Sequence, residues 1–300
     1  MKILLLGCNG QVGWELQRSL APLGEIIAWG REELNFSDLT SVNEKLASLT
    51  PDLIVNAAAY TAVDQAETDI ELARLVNSDA VRLLADRALE LGIWLIHYST
   101  DYVFDGQKKS AYEESDITSP QSIYGKTKRA GEVAIQSSGC KHLIFRTSWV
   151  YARRGGNFAK TMLKLASERD SLKVVSDQVG APTSAELIAD VTALCIVKIF
   201  QDQNAATSLS GVYHLAAKGE VSWYQYAQFV LEKAEECTVA LKVNSAEVQA
   251  IATADYPVPA KRPANSKLST QKLSEAFRLD MPDWQHHMQR FLSEHLSHYK

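Results

Sequence analysis

Cysteine is scarce and scattered in this chain. Cys8, Cys140, Cys195 and Cys237 include no CxxC pair, which leaves no basis for a disulfide framework or a zinc knuckle and fits a reducing cytoplasm. Long apolar runs are also missing. None approaches the roughly 18 residues that cross a bilayer, and Met1-Lys2 leads into a short strand pattern instead of a signal peptide, so the reading is of a soluble protein with no membrane partner. Positive charge is not in excess either: 31 Lys plus Arg face 36 Asp plus Glu, a formal net charge of -5. That balance offers no field for a nucleic acid polymer. Repeats and low-complexity tracts are absent. What is present is 46% hydrophobic residues over a length of 300, enough for one large or two unequal domains.

The first half alternates short apolar runs with helical stretches, the pattern of a parallel sheet with crossover helices. Ile3–Leu6, Ile26–Trp29, Leu53–Asn56, Trp94–Tyr98 and Leu143–Arg146 read as strands. Gln11–Leu20, Asp38–Leu49, Asp69–Leu91 and Pro120–Gln136 read as helices. The last begins with a cap at Ser119 and Pro120 in the first turn, where a missing N–H costs nothing. This predicts a Rossmann-type, doubly wound α/β domain over residues 1–150. After 150 the pattern is less regular, with loops at Tyr151–Asn157, Ser176–Ser184 and Tyr256–Ser266. Residues 151–300 are expected to form a smaller C-terminal domain, partly interleaved with the first.

Gly7, Gly10 and Gly13 form GxxGxxG directly after the first strand and at the start of the first helix. Chance would place such a triplet about 0.04 times in this chain. Glycine lets the backbone turn sharply and approach a pyrophosphate, while amides such as those of Gln11 and Val12 and the helix dipole face the anion. Asn56-Ala57-Ala58-Ala59 ends the third strand with small residues, so Ala59, Tyr60 and Thr61 are candidates for the wall beside a dinucleotide. After the second strand, where an NAD-preferring protein usually offers an acid, the sequence reads Gly30-Arg31-Glu32. Arg31 suits a 2'-phosphate, which favours NADPH over NADH; a solvated charged turn is the other reading. Asn35 and Phe36 follow in a loop that can pass over the adenine. The domain-level expectation is NAD(P) on residues 1–150 and the substrate mainly on 151–300.

Tyr124 and Lys128 form YxxxK, a spacing with little weight alone. An i, i+4 pair shares one helix face, however, and Ser99-Thr100-Asp101 follows the fourth strand at the same sheet edge as the glycine turn. A phenol with a solution pKa near 10 is a poor proton shuttle, and an adjacent ammonium group favours phenolate. Lys128 is therefore expected to lower the Tyr124 pKa and hold the nicotinamide ribose, with Thr100 bonding the phenol and the substrate oxygen. Together they describe carbonyl reduction, hydride arriving on carbon and the proton on oxygen.

The chain resembles the extended short-chain dehydrogenase/reductase family. The resemblance runs through Gly7-Cys8-Asn9-Gly10-Gln11-Val12-Gly13, His97-Tyr98-Ser99-Thr100-Asp101-Tyr102-Val103-Phe104, Tyr124-Gly125-Lys126-Thr127-Lys128, Arg146-Thr147-Ser148-Trp149-Val150-Tyr151, Asp177-Gln178-Val179-Gly180-Ala181-Pro182-Thr183 and Arg262-Pro263-Ala264-Asn265-Ser266. The later blocks point to the branch acting on dTDP-4-keto-sugars. The resemblance implies reduction of the C4 ketone of dTDP-4-dehydro-L-rhamnose for cell-surface polysaccharide such as O-antigen. It gives Thr100, Tyr124 and Lys128 the roles above, places Tyr98 beside the nicotinamide, and sets Thr100, Asp101 and Trp149 against the sugar nucleotide. Arg262, in a Pro-stiffened loop, suits the substrate's diphosphate, and the turn from Gly180 to Pro182 would shape a wall. Related enzymes include Mg2+-dependent homodimers; Glu15, Glu186 and Glu294 correspond to their glutamates and otherwise read as surface residues. His286, His287, His295 and His298 read as part of a solvated helix. Two alternatives remain open: a reductase or epimerase of another nucleotide-sugar, and a non-catalytic NADP-binding regulatory subunit.

Overall fold

The computed structural model describes residues 1–201 and 208–297; His298 lies outside them. Five strands, β1 (Lys2–Leu6), β2 (Glu25–Trp29), β3 (Leu53–Asn56), β4 (Trp94–Thr100) and β5 (Lys141–Thr147), join a sixth, β10 (Gly211–His214), in one sheet. Its order is β10-β5-β4-β3-β1-β2, and every pairing is parallel. β3 and β4 are buried along their whole length, as expected for strands covered by helices on both faces. Along β1 the period-two alternation sends Ile3 and Leu5 into one core and Leu4 and Leu6 into the other. The chain order reverses at β1, with β2 on one side and β3 on the other. At such a switch point the loops beyond the strands' carboxyl ends diverge and leave a crevice.

The helices α1 (Gln11–Leu20), α2 (Leu39–Ala47), α3 (Ile70–Arg74), α4 (Ala80–Leu91), α5 (Ile123–Ser138), α6 (Phe158–Glu168) and α7 (Ala185–Gln201) include one surprise. The expected single helix over 69–91 is interrupted by a π-turn at Leu75–Asp79. The wider turn buries Asn77, whose amide accepts from Tyr60 N at 2.9 Å and donates to Tyr60 O at 3.1 Å and Thr127 Oγ1 at 3.2 Å. Gly131 of α5 makes this contact possible: a Cβ there would lie 2.2 Å from Asn77 O.

The start of α5 also differs from expectation. Ser122, not Ser119, is its cap, and it accepts from Gly125 N at 3.1 Å. The Ile123 amide is taken by Glu67 Oε1 at 2.8 Å. Ser119 is occupied elsewhere, its amide donating to Val103 O, so Pro120 precedes the helix instead of opening it.

Residue 150 does not divide the molecule in space. β10 completes the main sheet, and α7 packs along α1. The rest of the second half forms three short strand pairs: β6 (Val150–Tyr151) with β9 (Thr183–Ser184), β7 (Lys173–Val175) with β12 (Gln249–Ile251), and β8 (Val179–Gly180) with β11 (Val221–Ser222). Around them pack α6 and the helices Trp223–Glu236 and Trp284–Leu296.

Candidate active site

The glycine turn sits at the β1/β3 switch point. Gly7 has φ +77°, and a Cβ on it would lie 2.5 Å from Ala58 N. A Cβ on Gly13 would lie 2.1 Å from Gly7 O, whereas one on Gly10 would meet that oxygen at 3.3 Å. Gly7 and Gly13 are thus demanded by close backbone approach, and Gly10 much less so. Gly10 is the cap residue of α1 and makes no side-chain bond to its first amides, which leaves the helix N-terminus able to receive an anion.

Two adjoining cavities open from this turn and share Gly10, Ala57 and Ala59. The first, about 280 Å³, is lined by Gly7, Gly10, Arg31, Asn35, Phe36, Ala59 and Tyr60. The second, about 370 Å³, brings together Gln11, Val12, Thr61, Tyr98, Thr100, Asp101, Tyr124, Lys128 and Trp149. Gly13 lines neither and supports the turn from behind. Small residues, tight glycines and an uncapped helix end fit a dinucleotide lying across both cavities.

A Cβ on Gly30 would lie 2.4 Å from Asn9 Nδ2, so a larger residue there would displace the exposed Asn9 side chain. An acid is nevertheless nearby: Glu33 Oε2 accepts from Gly30 N at 2.8 Å. Arg31 is exposed on the cavity rim.

In the second cavity Thr100 ends β4. It donates to Asp101 Oδ1 at 2.9 Å, accepts from Tyr102 N at 3.2 Å and lines the cavity together with the Tyr124 phenol. Gly125 lets α5 approach this turn, because a Cβ on it would lie 2.2 Å from Tyr102 O. The Tyr102 ring meets Tyr124 edge to face at 5.5 Å. Burial pushes the Tyr124 pKa up to about 12, against the nearby Thr100 hydroxyl, which lowers it; the Asp101 carboxylate adds to the rise. Lys128 is not among the groups that set it. The buried Lys128 amine is turned to Tyr98 O at 2.6 Å and His97 Nε2 at 3.3 Å. Burial lowers the Lys128 pKa to about 8, partly offset by Glu132. Asp101, buried, is raised to about 6, mainly by desolvation. Tyr98 presents its ring to this cavity but spends its hydroxyl on Thr192 Oγ1 at 2.8 Å.

Trp149 has φ +49°, an uncommon conformation for a residue with a side chain. Its ring stacks on Trp223 with centroids 3.5 Å apart, and Gly180 leaves room for it: a Cβ there would lie 2.7 Å from Trp149 Cε2. Trp223 borders a third cavity, about 580 Å³, that also reaches Arg262, Gln178 and Tyr256. The stacked pair is therefore the partition between the catalytic cavity and this one. Sequence reading missed Trp223, and no local motif marks it. Arg262 is not free: its Nη2 pairs with Asp64 Oδ2 at 2.9 Å, while its buried Nε has no partner.

Glu15, Glu186 and Glu294 line one cleft, but arginines share it. Glu15 meets Arg18 at 3.5 Å, and Glu186 and Glu294 meet Arg290 at 3.8 and 3.4 Å. Among the described residues no group of three acidic, His or Cys side chains is arranged to hold a metal ion. In the single chain these three carboxylates face arginines and are not gathered into one group. His287 borders the same cleft, half-buried.

The sequence family described as RmlD substrate binding domain matches residues 1–297. The chain is 51% identical to the dTDP-4-dehydrorhamnose reductase of Escherichia coli strain K12 and 50% identical to that of Salmonella typhimurium, covering 98% of both chains in each case. It is also similar to the crystal structure of dTDP-4-dehydrorhamnose reductase from Bacillus anthracis in complex with NADP, with a TM-score of 0.85, 34% identity, and coverage of 98% of this chain and 99% of that one. A turn built for a pyrophosphate, a Thr-Tyr-Lys cluster beside it, and likeness along the whole chain agree: this protein belongs to the RmlD substrate binding domain family, alongside the dTDP-4-dehydrorhamnose reductases.

Proposed function

We propose that the chain reduces the C4 ketone of dTDP-4-dehydro-L-rhamnose to the alcohol of dTDP-L-rhamnose, with NADPH or NADH as reductant. The observation that carries this is the meeting of Thr100, Tyr124 and Lys128 in a cavity continuous with the glycine turn. The coenzyme, when bound, supplies a hydride to the carbonyl carbon. Tyr124, which burial keeps firmly in its protonated form at neutral pH, gives its proton to the developing oxyanion, and Thr100 donates to that oxygen once its O–H turns from Asp101 Oδ1. Lys128 holds the ribose side of the coenzyme with the N–H that Tyr98 O leaves free. Trp149 offers the deoxy-sugar a flat face, with Asp101 at its polar edge. Arg262 takes the diphosphate by exchanging its Asp64 partner for the ligand.

In this reading residues 1–150 with β10 and α7 form the coenzyme domain, and the remainder of 151–300 forms the substrate domain. Arg31 on the rim supports a preference for NADPH. No described helix is long and apolar enough to cross a membrane, and the free thiols suit the cytoplasm. A homodimer in which a second copy adds to the Glu15, Glu186 and Glu294 cleft would be needed for Mg2+, and no chemical step depends on that ion.

The test is direct. Purified protein, NADPH or NADH and dTDP-4-dehydro-L-rhamnose should give a loss of reduced-coenzyme absorbance that depends on the keto-sugar. Loss with a different nucleotide-sugar only would move the reading to another substrate, and coenzyme binding without turnover would leave a regulatory subunit.

A further inference from the structure

Trp149 stands between β5 and β6 in a left-handed conformation, φ +49°, that a residue with a side chain disfavours. Something must hold it there. Its carbonyl accepts from Thr183 N at 3.2 Å, and its indole is gripped by two residues. Trp223 stacks on the ring with centroids 3.5 Å apart and planes 14° from parallel. Gly180 lies against Nε1, Cε2 and Cζ2, all of which a Cβ would approach to between 2.7 and 3.0 Å. The two grips share one frame: Gly180 pairs with Val221 and Val179 with Ser222 in the β8–β11 ladder, and Trp223 is the next residue.

Trp223 is itself fixed. Ser222 caps its helix in a capping box, Oγ accepting from Gln225 N at 3.1 Å and N donating to Gln225 Oε1 at 3.1 Å, which sets the backbone of the first helical residue. Phe158 at 4.6 Å and Tyr226 at 6.0 Å back its ring. Trp149 lines the cavity that holds Thr100, Tyr124 and Lys128, and Trp223 does not. Any effect of Trp223 on that cavity passes through Trp149.

We propose that Trp223 is a positioning residue for Trp149: its stack sets the place of the indole that borders the sugar, and so governs the grip on the sugar and not on the nucleotide or the coenzyme. This rests on the reading of Trp149 as the sugar's contact. A wall already held in one position has no freedom left to lose when the ligand arrives, whereas an indole without its stack must be ordered at that moment, against an unfavourable backbone. Trp223 also borders the third cavity, so the test must separate action through Trp149 from a contact of its own.

Two stacked indoles couple their transitions, so far-ultraviolet circular dichroism of the wild-type protein should show an exciton couplet that both Trp149→Leu and Trp223→Leu abolish. In calorimetric titrations Trp223→Leu should weaken dTDP-L-rhamnose about tenfold while leaving dTDP, which lacks the sugar, and NADPH unchanged. Trp223→Phe, which keeps a ring on Trp149, should restore most of the affinity. The double variant should bind dTDP-L-rhamnose no worse than Trp149→Leu, since Trp223 acts only through Trp149. No couplet in the wild-type protein, an unchanged affinity for dTDP-L-rhamnose in Trp223→Leu, an equal loss for dTDP, or additive losses in the double variant each overturns the proposal. If Trp223→Leu does not fold, Gly180→Ala, which pushes the same ring from its other neighbour, should show the sugar-selective loss, and its absence overturns the proposal. Wild-type protein that shows the couplet and does not bind dTDP-L-rhamnose would count against the substrate reading alone.

Discussion

Glu132 holds Arg146 by two parallel bonds, Nε to Oε1 at 2.9 Å and Nη2 to Oε2 at 2.7 Å, with both side chains buried. The pair ties α5 to β5. Tyr124, Lys128 and Glu132 recur at four-residue intervals on that helix, so the ion pair anchors the stripe that carries the chemistry. The Arg146 guanidinium also lies 5.1 Å from the centre of the Phe104 ring.

Breaking this pair from one side strands a buried charge. Glu132→Leu or Arg146→Met should each cost about 3–5 kcal/mol in urea denaturation, and the double variant should cost much less than the sum. Additive losses would show that the two residues act independently.

Tyr124→Phe removes the proton donor and keeps the ring that meets Tyr102. Coenzyme affinity should be unchanged while turnover falls by roughly 10² to 10⁴. Stopped-flow absorbance and coenzyme titration separate the two effects, and near-normal turnover would exclude Tyr124 as the donor.

Arg31→Ala should weaken NADPH by about 10- to 100-fold, as loss of a charge-assisted bond to phosphate does, and change NADH little. Binding titrations with both coenzymes decide. Equal losses would make Arg31 a solvated surface charge.

Acid should destabilise the fold. Burial holds His97 well below its ordinary value and His214 at about 3, so below about pH 6.5 the unfolded chain binds protons that the folded one refuses. Stability is full above that pH and is lost as pH falls, each histidine adding a slope that approaches about 1.4 kcal/mol per pH unit. Asp101, raised to about 6, works the other way as pH falls through 6 toward its unfolded value. Two histidines outweigh one aspartate, so urea midpoints should drop between pH 7 and 5. His214→Gln should flatten the dependence.

Much of the coenzyme half was legible because its signals are local. The runs of β1 to β5 and the Gly7 to Gly13 turn each declare themselves within a few residues. Thr100, Tyr124 and Lys128 could be read as a set, since Thr100 ends a strand and Tyr124 and Lys128 stand four residues apart on one face of the helix beside it. What escaped depends on partners far along the chain. β10 is only four residues, Gly211–His214, and becomes a strand by pairing with β5. Trp223 matters through Trp149, and Arg262 is restrained by Asp64. The direction in which Lys128 points was illegible too, because Tyr98 O and His97 decide it and YxxxK does not mention them.

The π-turn at Leu75–Asp79 sets a limit on chain length in this segment. Winding that turn loosely shifts every preceding residue by part of a revolution relative to α4, and this shift lets Asn77 serve Tyr60 and Thr127 at once. Deleting one residue would yield a smoother helix, rotated by about 100° on its amino-terminal side, with Asn77 lost from its notch above Gly131. The segment should therefore accept new side chains on its outer face far more readily than a single-residue deletion.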